Sequence, residues 1–262
     1  MAGGDGKKRC AAGILARAAC LLMAASYLSP ARALDALWTG ASDGFDYSAG
    51  GNWDTAAVPG AADTAFFGAS LFTGISVPGG SVGGWTFNAG ASSYTFVNSG
   101  TFNFLGAGIT VTGGAASIVN TFGTLQFSNS STAGSADIDN SLGTLQFLNA
   151  SRAGSATIAS TDGAITFANT SSAENATINV TGLGATSTIG FFDTSTAGNA
   201  TITLNSAGDV AKLEFNNNST RGNARLIANI GTWVDFSGST GLSGSNELSA
   251  GSIEGAGDFY LG

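Results

Sequence analysis

The residues that could do chemistry in this chain are few, and their types narrow the options at once. Histidine is absent from all 262 residues. That removes the commonest general base, the Ser-His-Asp and Cys-His nucleophile systems and most zinc sites. The two cysteines, Cys10 and Cys20, both fall within the first 33 residues. The densest carboxylate pair is Asp137-Ile138-Asp139. Cleavage of a polysaccharide needs clustered carboxylates, or carboxylates with Ca2+ and an Arg or Lys base. One repeat away from Asp137 stand Ser117 and Thr157, so stacked repeats give it no acidic partner, and the pair reads as a solvated face. The glycine-rich stretches lack the Lys-Ser/Thr pair of a P-loop and read as turns. No glycine-aspartate nonapeptide of the calcium-binding repeat type occurs. The expectation is a non-enzyme with no catalytic residue, no metal ligand and no cofactor.

What positions these residues is an internal repeat. Short apolar strands recur at Leu125-Gln126-Phe127, Leu145-Gln146-Phe147, Ile165-Thr166-Phe167, Ile189-Gly190-Phe191 and Leu213-Glu214-Phe215, with a looser copy at Val234-Asp235-Phe236. Two residues after each Phe stand Asn129, Asn149, Asn169, Asp193 and Asn217. An Ala column (Ala136, Ala156, Ala176, Ala200, Ala224) and an Ile/Leu column (Ile118, Ile138, Ile158, Ile178, Ile202, Leu226) follow. Leu-x-Phe and Ala-x-Ile both alternate in-out-in, which is strand periodicity. One unit cannot bury its own Leu, Phe and Ile, but stacked copies can.

The fold expected is all-β, a parallel β-helix with coils of about 20–24 residues. Phe and Ile form interior lines, and Asn forms an amide ladder at a bend, where it tolerates left-handed backbone. A sandwich wants longer strands, a helical solenoid a 3.6-residue period, and a transmembrane barrel ~10-residue strands with aromatic girdles. The two longer coils gain their residues between the Ile column and the next strand. The stretches are Thr181-Gly182-Leu183-Gly184-Ala185-Thr186 and Asn205-Ser206-Ala207-Gly208-Asp209. Both are expected at one corner, one above the other, as a wider corner or a binding ridge.

The first 33 residues have a different character. Lys7, Lys8 and Arg9 precede an apolar run, Ala18 to Leu28, and Ala31-Arg32-Ala33 follows. That order is a secretory signal peptide with cleavage after Ala33. The apolar run is short of the ~20 residues a spanning helix needs. Cleavage removes five of nine basic and one of 17 acidic residues, leaving a net charge of −12. Such a balance excludes nucleic acid as a partner. The Asn-x-Ser/Thr triplets at Asn129, Asn149, Asn169 and Asn199 recur because the repeat recurs.

Ahead of the repeats lie Trp38-Thr39-Gly40, Asn52-Trp53, Pro59 and Asp63-Thr64-Ala65-Phe66-Phe67. They read as an aromatic cap over the first coil. With the leader, this opening and the F-x-N-x-S-T-A-G-N-A-T-I repeat, the sequence resembles a bacterial autotransporter of the type V secretion family. The resemblance implies a right-handed parallel β-helical passenger, exported across the inner membrane of a Gram-negative bacterium. It also implies display or release at the outer membrane through a β-barrel translocator. The sequence ends at Gly257-Asp258-Phe259-Tyr260-Leu261-Gly262 in repeat style, so the expectation is a fragment or truncated product of such a protein, or a passenger whose translocator is a separate chain. The organisation expected is signal peptide 1–33, N-terminal cap region 34–80, and β-helix repeats 81–262, truncated at the C-terminus. The role expected is adhesin or cell-surface scaffold, with host or cell-surface glycans or proteins as partners. A polysaccharide lyase or hydrolase is the alternative.

Overall fold

A computed structural model describes residues 33–240 and 249–261. The expected leader, apart from Ala33, lies outside the described residues. The chain is a parallel β-solenoid of about 9 turns. Among the described residues the strands form two parallel sheets, one of eleven strands and one of nine, and each coil contributes one strand to each. A third ladder is one residue wide, running Thr132, Arg152, Ser172, Thr196, Thr220. Among the described residues the only helical element is a 3-10 turn over Gly50–Asn52.

The columns stack as the repeat spacing requires. Leu125, Leu145, Ile165, Ile189 and Leu213 are Cα partners in the eleven-stranded sheet, as are the five Phe two positions on. Ile118, Ile138, Ile158, Ile178, Ile202 and Leu226 pair likewise in the nine-stranded sheet. The rings Phe104, Phe127, Phe147, Phe167, Phe191 and Phe215 form one interior line. Their centroids are 4.7–5.1 Å apart and their planes within 9° of parallel. That spacing is the ~4.8 Å rise between hydrogen-bonded strands, so each ring repeats its neighbour's rotamer. Phe236 extends the line at 5.6 Å.

The Asn column sits at the bend, with φ of 57–60° from Asn129 to Asn217. Its bonding differs from an amide-to-amide ladder. Each side-chain oxygen accepts the backbone N–H of the equivalent residue one coil earlier: Asn149 Oδ1 from Asn129 at 3.1 Å, Asn169 Oδ1 from Asn149 at 2.9 Å, Asp193 Oδ2 from Asn169 at 2.8 Å. The acceptor is what matters, which is why Asp193 substitutes for Asn.

A second ladder was not anticipated. Asn98, Asn120 and Asn140 lie inside, at the corner where the nine-stranded sheet ends. Asn98 Nδ2 donates to Asn120 Oδ1 and Asn120 Nδ2 to Asn140 Oδ1, both at 2.7 Å. The same amides donate to corner carbonyls of Thr124, Thr144 and Ala164. Buried carbonyls need such donors, and a tight corner leaves no strand to supply them. In the strand Thr157–Thr161 this column becomes Ser160, and it then becomes Val180, Leu204 and Ala228.

The first coils are built differently. Trp38, Tyr47, Trp53, Phe67 and Trp85 are all buried. Their neighbours meet at varied angles. Trp85 alone contacts Tyr47, Phe67, Phe96, Phe102 and Phe104 with interplanar angles from 27° to 81°. Each buried indole N–H has an acceptor: Phe72 O, Tyr47 O and Tyr47 Oη. Burial pushes the Tyr47 hydroxyl far above its ordinary pKa, so it stays protonated. The cap backbone also covers sheet edges. Tyr47 N–H donates to Ser76 O, Ser76 N–H to Phe45 O, and Asp54 N–H to Leu37 O. Covered edges do not recruit foreign strands. Sheet topology has no break at residue 80: the strands Thr64–Phe67 and Gly74–Val77 already belong to the two sheets.

Candidate functional site

Outward positions of the nine-stranded sheet fall into ranks fixed by register. One rank runs Ser117, Asp137, Thr157, Thr177, Thr201, Arg225. The next runs Val119, Asp139, Ala159, Asn179, Thr203, Ile227. Strand alternation turns these side chains out while Ile138, Ile158, Ile178 and Ile202 turn in. The result is a mixed outer face with rungs ~4.8 Å apart: hydroxyls of Ser117, Thr157, Thr177, Thr201 and Thr203 and the Asn179 amide stand among Asp137, Asp139, Arg225, Val119, Ala159 and Ile227.

Asp137 and Asp139 lie where the sequence places them, exposed on one strand with Ser117 and Thr157 as cross-strand partners of Asp137. A shallow groove passes between them, lined by Val119, Ile138 and Ala159 as well. Asp139 Oδ1 accepts from Ser141 Oγ at 2.6 Å. No third carboxylate joins them: among the described residues no group of three or more His, Cys, Asp or Glu is placed to hold a metal ion.

The corner beside this face carries the two insertions. In the strands Thr177–Gly182 and Thr201–Ser206 the added residues first extend the sheet, with Thr181 paired to Asn205 and Gly182 to Ser206. The remainder turns out at the same corner in both coils, one above the other. Ala207 and Asp209 N–H groups donate to Gly182 O, and Thr186 Oγ1 donates to Asp209 Oδ1 at 3.3 Å. Asp162, one coil earlier and itself left-handed at φ 54°, receives Leu183 N–H at 2.7 Å and Gly184 N–H at 3.0 Å. Those backbone donors hold its carboxyl below the usual pKa. Phe122 and Leu142 occupy the equivalent left-handed position in the two coils before it. Along this corner Phe122 is 75% exposed, Leu142 47%, Leu183 55% and Ile230 76%, with Asp162 and the turn over 207–209 set between them.

Sequence reasoning placed the insertions and set Asp137 between Ser117 and Thr157, but not these exposed apolar residues. Phe122 and Leu142 were legible as non-column residues at matched positions. Their left-handed backbone, unusual for such side chains, was not.

No protein-family model, no curated protein and no solved structure matches the chain.

Proposed function

We propose that the chain is a non-catalytic, exported β-helical scaffold of the autotransporter-passenger type that adheres through the outer face of its nine-stranded sheet. The observation that carries this reading is the register-locked row of Thr157, Thr177 and Thr201 with Asn179 and Thr203 beside it, next to a corner that exposes Phe122, Leu142, Leu183 and Ile230. An open, hydroxyl-rich sheet face beside exposed apolar side chains suits glycan or protein surfaces rather than a small enclosed substrate. The reading places the protein at the cell surface of a Gram-negative bacterium, delivered by an outer-membrane β-barrel translocator.

The test is adherence. The full chain, displayed on bacteria or coated on beads, is applied to host cells and immobilised matrix glycoproteins. Replacing Thr157, Thr177 and Thr201 together by Glu is expected to lower adherence at least tenfold with the β circular-dichroism signal unchanged. Unaltered adherence rejects the reading. The groove at Asp137 and Asp139 favours one alternative, a polysaccharide lyase or hydrolase. Release of oligosaccharides by the chain, abolished in Asp137→Asn/Asp139→Asn, would establish it instead. Export is tested separately: the secreted chain should begin at Leu34.

A further inference from the structure

The other sheet carries a second, unlike surface. Its outward positions are Thr124 and Gln126, then Thr144 and Gln146, Ala164 and Thr166, Thr188 and Gly190 in successive coils. In the strands Trp233–Asp235 and Asp258–Tyr260 the same positions hold Trp233 and Asp235, then Asp258 and Tyr260. Trp233 pairs with Asp258 and Asp235 with Tyr260. The four side chains therefore form a checkerboard. The rings stand on one diagonal and the carboxylates on the other, ~4.8 Å apart between rungs and ~6.6 Å along each strand.

The rings meet edge to face, with centroids 5.5 Å apart and planes at 69°. Trp233 is 37% exposed and Tyr260 45%. Two shallow depressions share both rings. One is completed by Val210, Thr232 and Asp258, the other by Asp235, Ser237 and Leu261. Asp235 accepts the Ser237 N–H at 2.8 Å through one oxygen. On the adjoining strand Lys212 is the cross-strand partner of Trp233 and Glu214 of Asp235, and the two engage each other at 2.6 Å. Isolated exposed apolar residues need no explanation, but two touching aromatic rings rimmed by carboxylates are not isolated.

We infer that Trp233, Tyr260, Asp235 and Asp258 form a platform for a neutral pyranose. The C–H face of a pyranose is weakly electropositive and lies against the negative face of an aromatic ring. Its hydroxyls donate to carboxylates, the stronger class of hydrogen bond. A perpendicular pair of rings gives the sugar a floor and a wall. The carboxylates repel uronates and sialylated glycans, so the ligand class is neutral hexose. The platform lies on the eleven-stranded sheet, apart from the Thr row, and the two stand or fall separately.

The molecule contains its own reporter. Of its four tryptophans, Trp38, Trp53 and Trp85 are at most 3% exposed, whereas Trp233 is 37% exposed. The full chain is titrated with cello-, manno-, malto- and galacto-oligosaccharides, following fluorescence and acrylamide quenching. Saturable blue shift and protection of Trp233 are expected with at least one series. Tyr260→Ala should weaken that binding at least tenfold, and Asp258→Asn severalfold. Affinity electrophoresis of Trp233→Ala should show no retardation in the same sugar. The buried tryptophans of each variant report that the solenoid is intact. A response to none of the four series overturns the inference. So does equal or stronger binding of uronate oligomers, or sugar binding unaffected by Trp233→Ala. If Trp233→Ala and Tyr260→Ala lower only the melting temperature, the pair is a cross-strand brace and not a sugar site.

Discussion

The first coils and the repeat coils bury the same kind of side chain in opposite ways. From Phe104 to Phe215 the rings lie parallel, each in its neighbour's pose. Around Trp85 five rings meet one indole at five different angles. A parallel stack asks one question of every position: does a flat apolar group fit a ~4.8 Å slot? The mosaic asks a different question at each site, as the interior of an ordinary globular protein does. The stack is therefore readable from a single sequence and tolerant of like replacements. The mosaic is neither. The lesson is that stacked coils and their closure obey different packing rules within one continuous core.

The contrast can be broken most directly at Trp85. Trp85→Ala is expected to cost ~5 kcal/mol, the upper end for a truncated buried aromatic, because the vacated space borders rings that cannot close together. Loss of the indole N–H also leaves the buried Tyr47 hydroxyl without that donor. Denaturant titration reads the effect, and a cost under ~2 kcal/mol would mean that the mosaic collapses as readily as the stack.

Phe167→Ala should cost ~3–5 kcal/mol. The sharper comparison is Phe167→Leu, which should cost less than Phe167→Ala because most of the side-chain volume stays in the slot. Trp85→Leu has no such relief. If the two leucine variants lose the same amount, packing style does not govern tolerance.

Asn120→Val should cost ~1–3 kcal/mol, the penalty for leaving buried polar groups unsatisfied. Here the groups are Thr144 O and Asn140 Oδ1. The same column holds Val180 natively, so Val180→Asn is the mirror experiment and should also destabilise. A neutral Asn120→Val would show that the corner carbonyls find water.

The smallest effect is at Asp162. Its carboxyl is held below the ordinary value by the N–H groups of Leu183 and neighbouring residues. A depressed carboxylate stabilises fully above the unfolded pKa, ~3.9 for Asp, and loses its contribution as pH falls through the lowered folded value. Amide exchange at Leu183 and Gly184 should be slow at pH 7 and faster in Asp162→Ala. Scaled for intrinsic exchange, the two proteins should converge as the carboxyl becomes protonated. A difference that persists at full protonation would trace the loop's order to packing instead.

Much of this was legible because repetition amplifies weak signals. Phe167 alone says little, but five Phe at matched spacing specify an interior line, and Asn129 to Asn217 specify a left-handed bend. The added residues between Ile178 and Ile189 locate a corner. The inner Asn ladder escaped notice because its column changes identity from Asn140 to Ser160 to Val180, and only strand pairing shows these to be one position. That change coincides with coil length. Coils that advance 20–22 residues turn sharply, and there the column is polar, Asn98, Asn120, Asn140 and then Ser160. The longer coils carry the sheet further round, and the column becomes apolar. Trp233 and Tyr260 escaped for another reason: they stand outside every interior column, and their diagonal contact depends on the register of two looser coils.

The strands Thr124–Phe127 and Thr144–Phe147 have identical sequences and stack in perfect register. Between them lies one whole coil whose Leu, Phe and Ile columns continue above and below. Such a coil is a unit of length rather than a unit of shape. Removing residues 128–147 would join equivalent points of the spiral, shorten the rod by one rung, ~4.8 Å, and leave both the aromatic closure and the Trp233 platform intact. Duplicating it would carry those two features one rung further apart. The molecule is in this sense a graduated spacer, whose reach can be reset in steps of a single strand without redesigning anything it holds.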